Sequence, residues 1–344
     1  MFPGLNRQNW HKYKEIFINS MFFRTMMSNL LKILEYSKIA RIFFGVIGGS
    51  RYRIKNDFMF EKWKLHVMNK FDYQKKLEII KTSGIMIAIH LTDHCNLNCK
   101  GCSHFSPLAD EKFMKTEVFE ADMERMSQLF CRNEIWRIKL LGGEPLLHPQ
   151  VNDFMKIAAK YFPNTELRLV TNGLLLPAMT QSFWETCRTT GTSIDVSRYN
   201  VGLNYSGLKK KARTEGVELN IYPKKINKYF HKYIYDLSGM QNERLSHSTC
   251  GSLGNSCQLN NGRFYSCIQS ANFHHFNRFF NLGISLSDDN FVDIYKAKSK
   301  DEFYKLLLAP APCCRYCNVK AREFGVKWER SKRTLDEWTY SKNR

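Results

Sequence analysis

An apolar run that leads directly into three closely spaced cysteines constrains the fold more than any other feature of this chain. Residues 85–91 have the length and apolar composition of a buried strand. Cys95, Cys99 and Cys102 follow in the spacing C-x3-C-x2-C. Thiolates on a short loop are typical iron–sulfur ligands, and three of them leave one iron of a four-iron cluster without a protein ligand. The sequence therefore predicts a strand that positions a metal-binding loop with one open coordination site.

Strands and helices alternate along the chain after this loop. Residues 117–133 carry apolar side chains at helical spacing, and the next predicted strand, residues 137–141, ends in Gly142-Gly143-Glu144-Pro145. Further strands are predicted at residues 166–170, 193–197 and 217–222. This alternation predicts an α/β fold with a parallel sheet. Ligands collect at the carboxyl ends of parallel strands, so we expect the motifs that follow these strands to line one mouth.

The ordered pair of motifs, C-x3-C-x2-C followed by GGEP, resembles the radical S-adenosylmethionine (SAM) superfamily. The resemblance implies a partial (β/α)6 TIM-like barrel over residues 85–245. It also implies a [4Fe-4S] cluster ligated by Cys95, Cys99 and Cys102, whose open iron chelates SAM. A zinc site closed by His94 or His104 is the alternative for the cysteines alone, but zinc does not account for GGEP.

The resemblance also assigns contacts with SAM by position. The corresponding residues of this chain are Gly142, Gly143, Glu144, Thr171, Ser197 and Arg198. The GGEP residues would meet the amino group of SAM, the two hydroxyls would reach its ribose or carboxylate, and the guanidinium would pair with the carboxylate as a bidentate fork. The family usually has an aromatic residue before the third cysteine, where it packs on the adenine. This chain has Gly101 there, and His104 and Phe105 are the candidate replacements.

Six cysteines in the C-terminal part indicate a second metal site. Residues 257–259 and 263–265 predict a hairpin around Asn261-Gly262, which resembles an element of the SPASM and twitch extensions of radical SAM enzymes. By this resemblance, residues 246–325 form an auxiliary module that holds one further [4Fe-4S] cluster. Its expected ligands are Cys250, Cys267, Cys314 and Cys317. Cys257 and Cys313 compete for these places, and a zinc ribbon is the alternative for the same four thiolates.

Two other groups of metal-ligand residue types have simpler explanations. Cys131 and Cys187 fall inside helical patterns and are expected to fill the core, as free cysteines mostly do. The pair His274-His275 lies between two phenylalanines and is expected at the surface or in packing.

The charge balance and the termini bear on partners. The chain has 52 Lys and Arg against 32 Asp and Glu, a net charge of +20, which favours an anionic partner. Residues 1–84 predict a basic amphipathic helical extension that packs on the barrel, and peripheral membrane contact through residues 1–55 is the alternative. Residues 326–344 are a charged tail that either covers the auxiliary cluster as a helix or stays in solvent. Eleven cysteines without an evident secretory signal predict a cytoplasmic location, with a membrane-peripheral one as the alternative.

Three hypotheses for function follow. The first is an enzyme that cleaves SAM to a 5′-deoxyadenosyl radical and removes a hydrogen atom from a carbohydrate-like or other polar small molecule, such as a nucleotide sugar, in a dehydrogenation or epimerisation. The second is the same chemistry on a ribosomally made peptide. The third is a non-catalytic metal-binding module that docks on membrane or nucleic acid, of which nucleic acid is the less favoured. A reductase such as flavodoxin or ferredoxin would supply the electron.

Overall fold

The computed structural model describes residues 73–131, 134–199, 201–223, 229–250 and 256–339. Most of the predicted N-terminal extension, including the membrane contact predicted for residues 1–55, lies outside these ranges. Of the extension, the structure describes one helix, α1 (Tyr73–Ser83). No helix in the described ranges is long and apolar enough to cross a membrane.

The predicted alternation of strands and helices is present from β1 onward. The strands are β1 (Ile85–Thr92), β2 (Ile135–Gly142), β3 (Glu166–Thr171), β4 (Ser193–Ser197), β5 (Leu219–Tyr222), β6 (Tyr229–Lys232), β7 (Cys257–Asn260), β8 (Arg263–Tyr265), β9 (Val292–Asp293) and β10 (Glu323–Lys327). The helices are α2 (Thr116–Leu129), α3 (Val151–Tyr161), α4 (Gln181–Thr189), α5 (Tyr205–Thr214), α6 (Glu243–Cys250), α7 (Ile268–Phe279) and α8 (Asp301–Leu308).

Eight strands form one sheet in the order β5-β4-β3-β2-β1-β7-β8-β9. The pairs from β5 to β7 are parallel, and the pairs β7–β8 and β8–β9 are antiparallel. The expected α/β class with a parallel sheet is confirmed, and the architecture is that of a partial TIM-like barrel. The sixth parallel strand is β7, which comes from the C-terminal part of the chain and pairs with β1.

The parallel strands have one apolar and one polar face. Apolar residues such as Leu140, Leu169 and Ile194 belong to the main core with side chains of α2, α3 and α4. The alternate positions of β2, β3 and β4 point to the opposite face and carry Arg137, Lys139, Glu166, Arg168, Asp195 and Ser197. Arg168 pairs with Glu166 and Asp195, and Arg137 pairs with Glu166. The inner face is therefore suited to a polar ligand rather than to packing.

The predicted hairpin is present, but the predicted domain boundaries need correction. Asn261 and Gly262 both have positive φ, 48° and 75°, as a two-residue hairpin turn requires. Because β7 continues the sheet beside β1, the hairpin is part of the barrel sheet and not of a separate layer. The boundary at residues 245/246 falls inside α6, and that at 325/326 falls inside β10, which pairs with β6 in a second sheet. All described residues belong to one compact unit.

Candidate cluster and SAM site

Cys95, Cys99 and Cys102 lie on the loop that leaves β1, and all three are partly buried. Burial is the largest cause of their raised thiol pKa, which reaches about 11 for Cys95 and about 12 for Cys99. The neighbouring Cys102 thiol raises both further, since a second negative charge is unfavourable. Three adjacent thiolates need a bound cation to form, which fits a metal-cluster loop. Among the described side chains, no three His, Cys, Asp or Glu groups converge as metal ligands do, so the ligand assignment stays a prediction.

The two glycines after β2 make room for this loop. The Gly143 amide donates to the Thr92 carbonyl at 2.9 Å, and the Glu144 amide donates to the His94 carbonyl at 3.1 Å. A Cβ on Gly143 would lie 2.0 Å from the His94 carbonyl oxygen, and a Cβ on Gly142 would lie 2.4 Å from that of Thr92. Only glycine allows this approach. The GGEP motif therefore docks the start of the cysteine loop against the end of β2.

The Glu144 carboxylate is bound entirely within the protein. Its Oε1 accepts from the Thr171 hydroxyl at 2.6 Å and from the Leu146 amide at 3.1 Å, and its Oε2 accepts from the Asn172 amide at 2.8 Å. Burial raises the pKa of this carboxyl to about 7, against the effect of the three donors. The side chain thus ties the GGEP turn to the end of β3.

This arrangement corrects the role predicted for Thr171. Its hydroxyl is buried, donates to Glu144 and accepts from the Gly173 amide at 2.9 Å. The hydroxyl therefore positions the carboxylate and does not face a ribose or carboxylate of SAM.

Ser197 and Arg198 lie at the carboxyl end of β4, where the sequence places them. The Arg198 guanidinium lies 4.7 Å from the centre of the Tyr205 ring. Tyr199, which the sequence analysis missed, lies beside the loop thiols, and burial with the nearby thiol charges raises its phenol pKa well above the usual value. The available signal was its position just after the predicted strand end.

Residues 328–338, here called the C-terminal strap, cover the cysteine loop. The Trp328 indole N–H donates to the Cys99 Sγ at 3.1 Å, and the Trp338 indole N–H donates to the Cys102 carbonyl at 3.0 Å. Trp338 is fully buried. No local sequence pattern indicated that these tryptophans meet the first cysteine motif, which is more than two hundred residues away in the chain.

Backbone contacts fix the strap further. The Ser331 amide donates to the Asn98 carbonyl at 2.8 Å, and the Lys100 amide donates to the Glu329 carbonyl at 2.9 Å. The Lys100 ammonium also pairs with the Glu329 carboxylate at 2.9 Å. The prediction that the tail covers the auxiliary cluster or stays in solvent is therefore wrong. The first cysteine loop offers the tryptophans both apolar area and acceptors for their N–H groups.

The absence of an aromatic residue at position 101 has a structural cause. Gly101 has φ +65°, and a Cβ there would lie 2.9 Å from the Lys232 Cγ and 3.1 Å from the Glu337 carbonyl oxygen. The strap and β6 thus occupy the space next to the third cysteine. Phe105, one candidate replacement, is fully buried and packs with Trp338, so the prediction that it contacts adenine is wrong.

Histidines and one aspartate collect beside the same loop. The His104 Nδ1 lies 2.8 Å from the His90 Nε2, and the His275 Nε2 lies 3.6 Å from the Asp93 Oδ2. Burial lowers the pKa of His90 to about 4. His275 is buried, whereas its neighbour His274 is exposed. The cluster joins α7 to the carboxyl end of β1.

The C-terminal cysteines line one cavity. Its walls are Ser246, His247, Cys250, Ser266, Cys267, Gln269, Leu307, Cys313, Cys314 and Cys317. All four predicted auxiliary ligands are present, and so is the competitor Cys313. Cys257 is absent from this wall and is buried in the main core.

Three contacts in the cavity favour thiolates. Cys267 caps the N-terminus of α7, where the Ser270 amide donates to its Sγ at 3.4 Å. A hydrogen bond from Cys313 is the largest cause of the lowered Cys267 pKa. The Arg322 guanidinium donates to the Cys250 Sγ at 3.2 Å. Burial nevertheless raises the pKa of Cys317 to about 12.

Of the cysteines predicted to fill the core, Cys187 is buried and Cys131 is exposed. Cys187 contacts Met155 at 3.7 Å. Cys131 follows the end of α2 and lies beyond the last buried turn of that helix, so the prediction for it is wrong.

Comparison with known proteins identifies the domain. Residues 89–218 match the family described as the Radical SAM superfamily. The chain therefore carries a radical SAM domain, as the two motifs predicted.

Curated relatives share only part of their length with this chain. A probable GTP 3′,8-cyclase of Pyrococcus abyssi is 29% identical over 133 residues, which is 39% of each chain. A GTP 3′,8-cyclase of Nautilia profundicola is 31% identical over 104 residues, 30% of each chain. This chain thus spans between 30% and 39% of the length of these relatives.

Two solved structures are also similar. BtrN in complex with AdoMet and 2-DOIA has 19% identity and a TM-score of 0.44, over 68% of this chain and 93% of that one. Streptococcus suis SuiB bound to precursor peptide SuiA has 12% identity and a TM-score of 0.42, over 67% of each chain.

Proposed function

We propose that this protein is a radical SAM enzyme that cleaves SAM to a 5′-deoxyadenosyl radical and removes a hydrogen atom from a carbohydrate-like or other polar small molecule, in a dehydrogenation or epimerisation. The observation that carries the proposal is the junction of the cysteine loop with GGEP through Gly143 and Glu144. It brings three thiols and candidate amino-group acceptors to the carboxyl ends of adjacent parallel strands, where ligands bind in such sheets.

The chain's own residues have distinct roles in this proposal. Cys95, Cys99 and Cys102 would ligate a [4Fe-4S] cluster, which supplies one-electron reduction of the SAM sulfonium when both are bound. Backbone carbonyls of GGEP would accept from the SAM amino group. Ser197 would reach the ribose or carboxylate, and Arg198 would pair with the carboxylate.

The second part of the proposal is an auxiliary [4Fe-4S] cluster at Cys250, Cys267, Cys314 and Cys317. The cavity that these residues share with Cys313 supports it. A helix N-terminus at Cys267 and a guanidinium at Cys250 stabilise negative sulfur, as a thiolate-ligated cluster requires. Cys313 is buried in the same wall and is the competing ligand.

The polar inner face of the sheet supports a small anionic substrate. Arg137, Lys139 and Arg168 face Glu166 and Asp195, so three cations oppose two carboxylates. Burial is the largest cause of a lowered Lys139 pKa, and the nearby Arg137 lowers it further. An anionic group near Lys139 would relieve this repulsion.

The principal test measures SAM cleavage. Wild-type protein reconstituted without oxygen should release 5′-deoxyadenosine with dithionite and SAM, and a Cys95→Ala, Cys99→Ala, Cys102→Ala variant should release none. Cleavage by the triple variant would refute the ligand assignment. Absence of cleavage in the wild type, with zinc as the bound metal, would favour the non-catalytic module.

Iron content tests the auxiliary site. Wild-type protein should hold about eight irons, and Cys314→Ser with Cys317→Ser should hold about four, because one of two four-iron clusters is lost. Cys131→Ser is the matched control, since this exposed thiol lies outside both cysteine sites. About eight irons in the double variant would place the second cluster at other ligands.

A further inference from the structure

The C-terminal strap forms a layer between the first cysteine loop and solvent. Cys99 and Arg330 face each other in an antiparallel bridge, and the Arg330 guanidinium donates to the Asn96 carbonyl at 3.4 Å. The Trp328 indole donates to the Cys99 Sγ at 3.1 Å and is itself partly exposed. One side chain therefore connects a predicted ligand sulfur with the surface, on the side of the loop that the GGEP turn does not cover.

The exposed side chains of this layer carry a positive net charge. Its cations, here called the basic patch, are Lys100, Lys327, Arg330, Lys332 and Arg333; Lys100 is partly exposed and the other four are exposed. Glu329 and Asp336 are the exposed carboxylates of the strap, so five cations face two carboxylates, a net charge of +3. Glu337 is buried, and the buried Lys232 offsets its charge. Among the described side chains, the strap makes one ion pair, between Glu329 and Lys100 at 2.9 Å.

The cations are close enough to act on one another. Lys100 is the largest cause of the lowered pKa of the Glu329 carboxyl, and Lys327 and Lys332 lower it further. Three ammonium groups thus surround one carboxylate, which compensates only one of them. Complementary charge on a partner guides association and fixes its orientation. The basic patch therefore suits a partner whose surface carries clustered carboxylates.

The chemistry of the cysteine loop identifies the class of this partner. A cluster held by Cys95, Cys99 and Cys102 would need one electron for each SAM that it cleaves. SAM and substrate would occupy the mouth of the barrel, so the electron has to arrive from the outer side of the loop, where the strap lies. An acidic protein that carries one electron at a time offers both the matching charge and the electron.

We propose that the basic patch is the docking surface for an acidic one-electron carrier protein, with Trp328 between the carrier and the cysteine loop. In the docked complex the carrier is oxidised by one electron, and the cluster held by the loop is reduced by one. This inference rests on the proposed function, which it makes specific by naming the surface through which the enzyme receives its electron.

The first experiment measures binding to reconstituted protein by microscale thermophoresis, with an acidic flavodoxin and an acidic ferredoxin as probes. Wild type should bind at least one of them, and less tightly as sodium chloride is raised from about 0.05 M to about 0.3 M, because salt screens exposed charges. Lys332→Glu with Arg333→Glu should weaken this binding about tenfold. Lys209→Glu with Lys210→Glu is the matched control: both lysines are exposed on α5, the net charge changes equally, and binding should equal that of wild type.

A variant that gains affinity separates docking from damage to the fold. Asp336→Asn removes an exposed carboxylate beside the basic patch and should tighten binding about twofold, which a misfolded strap could not do. Basic cytochrome c and phosphatidylglycerol vesicles are the counter-probes. The proposal is overturned if neither acidic carrier binds, if the counter-probes bind as tightly as the carriers, if the charge-reversal variant binds like wild type, if the α5 control loses as much affinity, or if Asp336→Asn does not tighten binding.

The rate of 5′-deoxyadenosine formation is the second readout. With the reduced carrier below saturation, Lys332→Glu with Arg333→Glu should be about tenfold slower than wild type. With dithionite and methyl viologen, which need no docking surface, the variant and wild type should have equal rates. An equal loss with both reductants would show damage to the cysteine site and overturn the proposal. Failure of the proposed function is distinguishable, because wild type would then form no 5′-deoxyadenosine with either reductant.

Discussion

The buried carboxyl of Glu144 gives a pH dependence of stability that can be calculated from the structure. Its pKa rises from 4.5 to about 7, with burial as the largest cause. The unfolded chain loses the Glu144 proton near pH 4.5, whereas the folded protein keeps it up to about pH 7. The protonated carboxyl therefore stabilises the folded state at low pH, and this contribution is lost as the pH rises through about 7. At about 1.4 kcal/mol per pKa unit, the change is about 3 kcal/mol.

Glu144→Gln removes the titration while it keeps the size of the side chain. We expect the free energy of unfolding of wild type, measured relative to this variant by urea denaturation, to fall by about 3 kcal/mol between about pH 4 and about pH 8. The contributions of the other titrating groups to the pH dependence cancel in this difference, because both proteins contain the same groups. His90, whose pKa is lowered by burial, is one of these groups.

A control and a clear refutation are available for this prediction. Glu120→Gln changes an exposed carboxylate that pairs with Lys160, so its stability difference from wild type should stay small at every pH. If the difference between wild type and Glu144→Gln is the same at both ends of the pH range, the reasoning about Glu144 burial is wrong.

Two further predictions concern the supports of the cysteine loop. Trp328→Phe removes the N–H donor to Cys99 and should lower the midpoint potential of the first cluster by about 60 mV, the one-electron equivalent of about 1.4 kcal/mol. Redox titrations followed by electron paramagnetic resonance measure this potential, and an unchanged value would contradict the prediction. The control variant Trp136→Phe should leave the potential unchanged. Gly143→Ala places a Cβ 2.0 Å from the His94 carbonyl oxygen and should destabilise the protein by about 3 kcal/mol in urea unfolding, whereas wild-type stability would show that the loop moves away at little cost.

The strap changes how the first cysteine site is understood. The loop residues 95–102 are held from one side by the GGEP turn and from the other by residues 328–338. Both supports use hydrogen bonds to the backbone of the loop, so the path of the loop does not depend on most of its side chains. The indole of Trp328 adds a bond to a ligand sulfur itself, and hydrogen bonds to cluster sulfurs are one of the determinants of redox potential.

Local patterns were sufficient for the sheet and for the cysteine motifs. The strand before the first cysteine, the strand that ends in GGEP and the hairpin at Asn261-Gly262 all lie where periodicity and turn residues predicted them. These signals depend on neighbours along the chain, namely alternation of apolar residues and positive φ at a turn. Such signals do not always predict burial: Cys131 and Cys187 both fall in helical patterns, but only Cys187 is buried.

Contacts between residues that are far apart in the chain could not be predicted from these local patterns. Nothing in the residues around Trp328 and Trp338 indicates the loop that they cover, because the match of indole N–H groups to a sulfur and a carbonyl exists only after folding. The same holds for Thr171, whose hydroxyl faces Glu144 because β2 and β3 are adjacent in the sheet.

The sequence by itself determined the class of chemistry. The spacing of the thiols and the glycine pair after a strand are local features, and the cysteine loop and the GGEP turn that packs against it both depend on them. The tertiary structure alone decided which groups surround that chemistry. It brought the strap onto the loop and joined β7 to β1. The physical reason is that burial and hydrogen-bond pairing are properties of the packed chain, and each depends on residues that no spacing rule connects.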